Sequence, residues 1–155
     1  MPIATFYEWL LLLHILAGMV WVGALVLLNV IATLVLRRRD TESATRLIGM
    51  LRIVGPATLA PSMIGVLVFG IWLVLDSDVW GFDQGWIVLA LLLFAVAFVV
   101  GAGFQSRSAI AAHEAAASGD VGEAMRQFGR WAWGMRLILA VVLVIVWDMV
   151  FKPGL

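Results

Sequence analysis

WLLLLHILAGMVWVGALVLLNVIATLVLRRRD, residues 9–40, decides the fold. From Trp9 to Leu36 no side chain carries a full charge at neutral pH, and Arg37, Arg38, Arg39 and Asp40 then stop the run. A bilayer core of ~30 Å is crossed by about 20 apolar residues in helical form, so this segment is long enough to span it. Inside it sits one imidazole, His14. A polar group in hydrocarbon must find a partner or raise the free energy of the chain, so His14 needs an explanation.

Working outward, three further runs are of the same kind: Val54 to Leu75, Trp86 to Phe104 and Trp131 to Phe151. With 155 residues, 64% of them hydrophobic and only 13% charged, the composition is that of a membrane protein. The expected fold is all-α: a polytopic membrane four-helix bundle, a single domain over residues 1–155 surrounded by the lipid bilayer. The first run lacks a basic leader and exceeds a signal-peptide core in length, so it is read as a retained span.

Charge sorts the loops. The first connection holds Arg37, Arg38, Arg39, Arg46 and Arg52, and the third holds Arg107, Arg126 and Arg130. The second holds Asp76, Asp78 and Asp83 and no basic residue. Basic loops stay in the cytoplasm, which gives an N-out/C-out orientation in a cytoplasmic (inner) membrane as the expected location. The basic connections also have helical spacing: TESATRLIGMLRIVG begins after a cap at Asp40 or Thr41, and SRSAIAAHEAAA continues the third span into water. An R-x-x-G element, Arg46 with Gly49 and Arg126 with Gly129, recurs in the two hairpins.

Several chemistries are excluded. There is no cysteine, hence no disulfide, iron–sulfur cluster or thioether-attached haem. Lys152 is the only lysine and lies at the end of the last span, so no mid-membrane Schiff base is available. No nucleotide loop, Ser-His-Asp set or nucleic-acid face is present.

The remaining polar residues in the spans are weighed by position. At ~100° per residue, His14, Gly18, Trp21, Leu25 and Ala32 share one stripe of the first helix. That stripe offers an axial imidazole, a gap one turn on and a flat aromatic wall, as a planar tetrapyrrole requires. The spacing alone favours a histidine that bonds to a neighbouring helix, with Gly18 letting that helix approach. His113 lies beyond Arg107 at the other side of the membrane, too far to hold the same iron. A second axial ligand would come from Met149, at about the depth of His14, or from Met63, nearer the middle. Asp148 stands four residues before Lys152 in the acid-before-base order, and an ion pair between them is expected. Asn29 and Thr33 read as interhelical hydrogen-bonders, Arg136 as snorkelling to the basic side, and His113 and Glu114 as surface residues of a solvated helix. Pro61 interrupts the second span, with Thr58 and Ser62 placed to satisfy the freed backbone.

HILAGMVWVGALVL, the arginine cluster that follows it and the closing DMVFKPGL resemble a bacterial family of small four-helix predicted integral membrane proteins of unknown function. More distantly, His14, Trp21 and Gly23 are similar to the first helix of the HemJ-type protoporphyrinogen oxidases and the CopD-like membrane proteins. The HemJ likeness implies b-type haem at His14; the chain departs from those families in length and in having no other intramembrane histidine. Two functions therefore stand side by side: a haem b protein for electron transfer or a redox reaction, with His14, Gly18, Trp21 and either Met149 or Met63 at the site, and a cofactor-free membrane subunit or assembly protein. A two-hairpin transporter bending at Pro61 is a third. A homo-oligomer or a membrane redox partner is the expected association.

Overall fold

The computed structural model describes residues 5–154, the side chain of Arg52 excepted. Among the described residues every regular element is a helix, and four helical stretches are long and apolar enough to cross a membrane. α1 runs Phe6–Arg38. Its first turn is closed by a reciprocal cap, in which the Thr5 hydroxyl accepts from the Glu8 N–H at 3.3 Å and the Glu8 carboxylate accepts from the Thr5 N–H at 2.6 Å. α1 ends where Arg39 turns left-handed (φ 52°), and Asp40 then caps α2, Thr41–Val54, accepting from the Ser43 N–H at 2.9 Å.

α2 continues without a break into a π-helical turn, Gly55–Leu59, and α3, Ala60–Leu75. Pro61 has no N–H to return to the preceding turn, and the backbone accommodates it by widening: the Ala60 N–H reaches back five residues to the Gly55 carbonyl. The Ser62 hydroxyl donates to the Leu59 carbonyl at 3.0 Å rather than to the Ala57 carbonyl that Pro61 leaves without its partner. After an aspartate-bearing loop, α4 (Gly85–Val99) passes through a second π-helical segment, Val100–Gln105, into α5 (Ser106–Ala117). A turn at Gly119 (φ 81°) and a cap at Asp120 open α6, Val121–Phe151. The interruption thus follows the straight helix in the first hairpin and precedes it in the second. The two R-x-x-G elements consequently stand in different settings, one on the interrupted helix and one on the straight α6.

Packing order follows from the buried faces. α1 packs on α3 and on α6, and α6 also carries α4 and α5. A core of Trp21, Leu25, Leu28 and Ala32 from α1 meets Met135, Ile138 and Val142 from α6. Helices in lipid gain little from hydrophobic sorting, so close fit and hydrogen bonds decide their pairing. At the α1–α3 contact a Cβ added to Gly65 would lie 3.2 Å from Ala17 Cβ, so the missing side chain sets the closeness of that pair. At the α1–α6 contact the Asn29 amide donates to the Met135 carbonyl at 3.2 Å, and the Arg136 guanidinium donates to the Thr33 hydroxyl at 3.2 Å. Large apolar side chains such as Met19, Leu27, Leu92 and Val150 face outward, as a lipid-facing surface requires.

α3 and α4 follow one another in sequence but do not pack together. The spatial order is therefore α3, α1, α6, α4, a curved row with an open flank between its ends. The aspartate loop and Lys152 mark one end of the bundle and the arginine-bearing connections mark the other, called below the acidic-loop end and the basic end.

Candidate functional site

The open flank holds a cavity of about 840 Å³ toward the acidic-loop end. Its size lies within the ~300–1,000 Å³ range of small-molecule and cofactor sites. His14, Gly18, Trp21 and Met149 all line it. Met63 does not; it lines a separate cavity of about 730 Å³ toward the basic end, and Trp21 forms a wall of both. Trp21 is held in place by burial to 5% exposure and by an edge-on contact with Phe94 at 5.7 Å between ring centres.

His14 is half-buried on α1, and its Nδ1 lies 2.9 Å from the Val66 carbonyl of α3. A carbonyl oxygen can only accept, so Nδ1 carries the proton and donates. In the neutral ring this leaves the Nε2 lone pair free, and Nε2 has no hydrogen-bond partner among the described residues. The cross-helix bond expected of a structural histidine is therefore present, yet it uses only one of the two nitrogens. The ring fits because α3 has a glycine beneath it: a Cβ on Gly70 would lie 3.0 Å from His14 Cε1 and 3.3 Å from Nδ1. Gly18 is less constrained, since a Cβ there would meet Val66 Cγ2 only at 4.0 Å, an ordinary contact. It lines the cavity, and the approach of α3 does not depend on it.

At the mouth of the cavity stand Trp80, Phe82, Trp86 and Lys152, the last being the one Lys or Arg among its lining residues. Here the structure corrects the expected ion pair. No salt bridge joins Asp148 to Lys152; the ion pairs among the described residues are Glu42–Arg46 and Glu123–Arg126. Lys152 leaves the helix in a left-handed conformation (φ 43°), which takes its side chain out of the i, i+4 register with Asp148. Its ammonium instead sits 4.1 Å from the centre of the Trp80 ring and 5.4 Å from that of Trp86. Asp148 turns inward with Val142 and Ile145, is 0% exposed, and has no partner for either carboxylate oxygen among the described residues.

His113 also departs from expectation. Glu114 is exposed, but His113 is half-buried on the wall of the basic-end cavity, with its Nδ1 enclosed. His14 and His113 line different cavities, in keeping with their expected separation. Gly70 and the Val66 carbonyl complete the surroundings of His14, while Lys152 stands at the mouth of the same cavity. In the sequence Gly70 reads, with Gly65, as a residue beyond the Pro61 bend that opens space inside the bundle, whereas a backbone carbonyl leaves no mark at all.

A family model described as Predicted integral membrane protein (DUF2269) matches residues 8–153. The chain belongs to that family. Its members are predicted integral membrane proteins of unknown function, and the four apolar helices give the chain the same character. Neither the curated proteins nor the solved structures contain a significant match. The family member described here is thus a small integral membrane protein in contact with the bilayer, with an unpartnered imidazole nitrogen beside a cavity that opens between two helices.

Proposed function

We propose that the cavity at the acidic-loop end binds b-type haem, with His14 Nε2 as axial ligand, and that the protein serves electron transfer or a redox reaction. One observation carries the reading: the Nδ1–H of His14 is committed to the Val66 carbonyl, which is the arrangement that fixes the tautomer and raises the basicity of a metal-ligating histidine. The donor set fits haem better than a bare metal ion. No group of three or more His, Cys, Asp or Glu side chains able to hold a metal is found among the described residues, whereas haem needs only one or two axial ligands from the protein.

The other lining residues fit the same group. Trp21 and Phe94 offer an apolar aromatic wall, Gly18 leaves clearance, and Lys152 would supply a cation able to pair with the carboxylates of such a group. Met149 shares the cavity with His14 and is the choice for the second axial position; Met63, in the other cavity, is not. When bound, haem supplies one-electron chemistry. The residues orient the ring, hold water away from it and set its charge environment. The orientation that goes with this reading is N-out/C-out in a bacterial inner membrane, which places His14 toward the outer side.

The test is addition of haem to the full chain purified in mild detergent. Saturation near one equivalent, loss of the Soret band in His14→Ala and a shifted spectrum in Met149→Leu are expected. A wild-type protein that takes up no haem leaves His14 as a cross-helix clip, and the chain as a cofactor-free membrane subunit.

A further inference from the structure

The basic-end cavity has features that the haem reading does not use. Two of them concern Gln105, which lines the cavity and is only 7% exposed. Both its Nε2 and its Oε1 are enclosed and unpartnered among the described residues. Its amide packs beside α6, where a Cβ on Gly134 would come within 3.3 Å of Nε2. An enclosed amide without partners is costly, and no neighbouring backbone relieves it.

Around Gln105 the backbone is specialised. The two π-helical segments, Gly55–Leu59 and Val100–Gln105, both contribute walls to this one cavity without packing on each other. Such segments are rare and concentrate at functional sites, because one extra residue per turn re-aims side chains and frees carbonyls. One turn and two turns beyond Gln105 on α5, Ala109 and His113 line the same wall, and His113 Nδ1 is enclosed and unpartnered as well. The polar groups thus gather at the basic end, while the rest of the wall, up to Trp21 and Leu25, is apolar.

The charge of the lining narrows the occupant. Among the described side chains, the charged residue that lines the cavity is Glu114. A phosphate or carboxylate head would meet the Glu114 carboxylate, which disfavours an anionic headgroup. An amide that offers both a donor and an acceptor, beside an imidazole, suits a neutral head carrying hydroxyl or carbonyl groups. The open flank between α3 and α4 gives entry from the lipid.

We infer that the basic-end cavity binds a membrane-dissolved amphiphile with a neutral hydroxyl- or carbonyl-bearing head, of which quinols and diacylglycerols are the two available sources. A turn of the Gln105 side chain about its terminal torsions carries the amide to the head, and the apolar body lies along Leu59, Phe98 and Ile138 toward Trp21. Binding requires no haem, so the inference stands or falls independently of the site at His14.

The experiment is equilibrium binding to the full chain in detergent, with decylubiquinol, dioctanoylglycerol and phosphatidic acid as separate probes, read by thermal stabilisation and by tryptophan fluorescence. Saturable binding of either neutral probe in preference to phosphatidic acid is expected, and whichever neutral probe binds tighter identifies the source. Gln105→Leu should weaken that binding by about tenfold or more, the loss of one or two hydrogen bonds. The same variant should leave the unliganded protein at least as stable, because it removes an unsatisfied amide. Ala102→Trp, at an exposed position on the cavity wall, should block binding without touching the core. Preference for phosphatidic acid, no saturable binding of either neutral probe, or wild-type affinity in Gln105→Leu overturns the inference.

Discussion

Gly70→Ala separates a ligand-positioning role for the His14 hydrogen bond from a merely structural one. The added methyl would lie 3.0 Å from His14 Cε1 and 3.3 Å from Nδ1, against the ~3.5–4.0 Å at which carbon atoms rest. The ring must therefore withdraw by roughly 0.5 Å, which stretches the 2.9 Å bond to the Val66 carbonyl past the usual ~3.2 Å limit. Losing an interhelical hydrogen bond in a membrane protein costs about 0.6 kcal/mol on average. Replacing a mid-helix glycine by alanine returns about 0.5–1 kcal/mol. The two nearly cancel, so thermal unfolding in detergent should barely move. Haem affinity should not be spared in the same way, because disturbing the group that orients a metal-ligating histidine typically costs ~10–100-fold. Haem titration followed at the Soret band, beside a melting curve of the same preparation, reads both quantities. Gly65→Ala is the control: its methyl meets Ala17 Cβ at 3.2 Å, away from the imidazole, and should lower stability while sparing affinity. Wild-type haem affinity in Gly70→Ala, or a loss no larger than that of Gly65→Ala, refutes the reasoning.

Three more outcomes follow from the same structure. Asp148→Leu should raise the unfolding free energy by about 1–3 kcal/mol, since it replaces an enclosed carboxylate without partners by an apolar side chain; a lower melting temperature would show that the carboxylate is satisfied after all. Asn29→Leu should loosen the α1–α6 pair by ~0.6–1.7 kcal/mol, read by chemical unfolding in mixed micelles, and an unchanged midpoint would deny the bond to the Met135 carbonyl any weight. The Ser43 N–H, and after it the Ser43 hydroxyl, hold the Asp40 carboxyl below its usual range. A depressed carboxylate pKa stabilises the folded chain above the unfolded value and ceases to as pH falls through the lowered folded value. Wild type should therefore lose more stability than Asp40→Asn as the buffer is taken from neutral into that acid range, and parallel melting profiles would contradict the cap's electrostatic role.

What the sequence disclosed, it disclosed through patterns that need no knowledge of the neighbours. Runs such as Trp9 to Leu36 identify spans because hydrocarbon imposes a length and a composition on any helix that crosses it. Asp40 reads as a cap because an orphan N–H group demands an acceptor at that position, and Asn29 reads as a cross-helix donor because nothing on its own helix fully satisfies it. The stripe of His14, Gly18 and Trp21 follows from helical period alone. The rest depends on information that a single sequence does not carry. The open flank is a matter of which helices adjoin, and a row ordered α3, α1, α6, α4 has the same hydropathy as a closed ring. A π-helical turn shifts one hydrogen-bond register without altering composition, so Val100–Gln105 reads as ordinary span and Gln105 as an ordinary polar terminus. Lys152 was misjudged because the i, i+4 rule assumes that the helix continues, and the left-handed turn at Lys152 ends it.

The central claim is tested most directly by the visible spectrum of the full chain, expressed with ample haem, purified in mild detergent and recorded before and after dithionite. The account predicts a Soret band that shifts on reduction in the wild type and is missing from His14→Ala. A well-folded wild type with no Soret band, or a band that persists unshifted in His14→Ala, would contradict it.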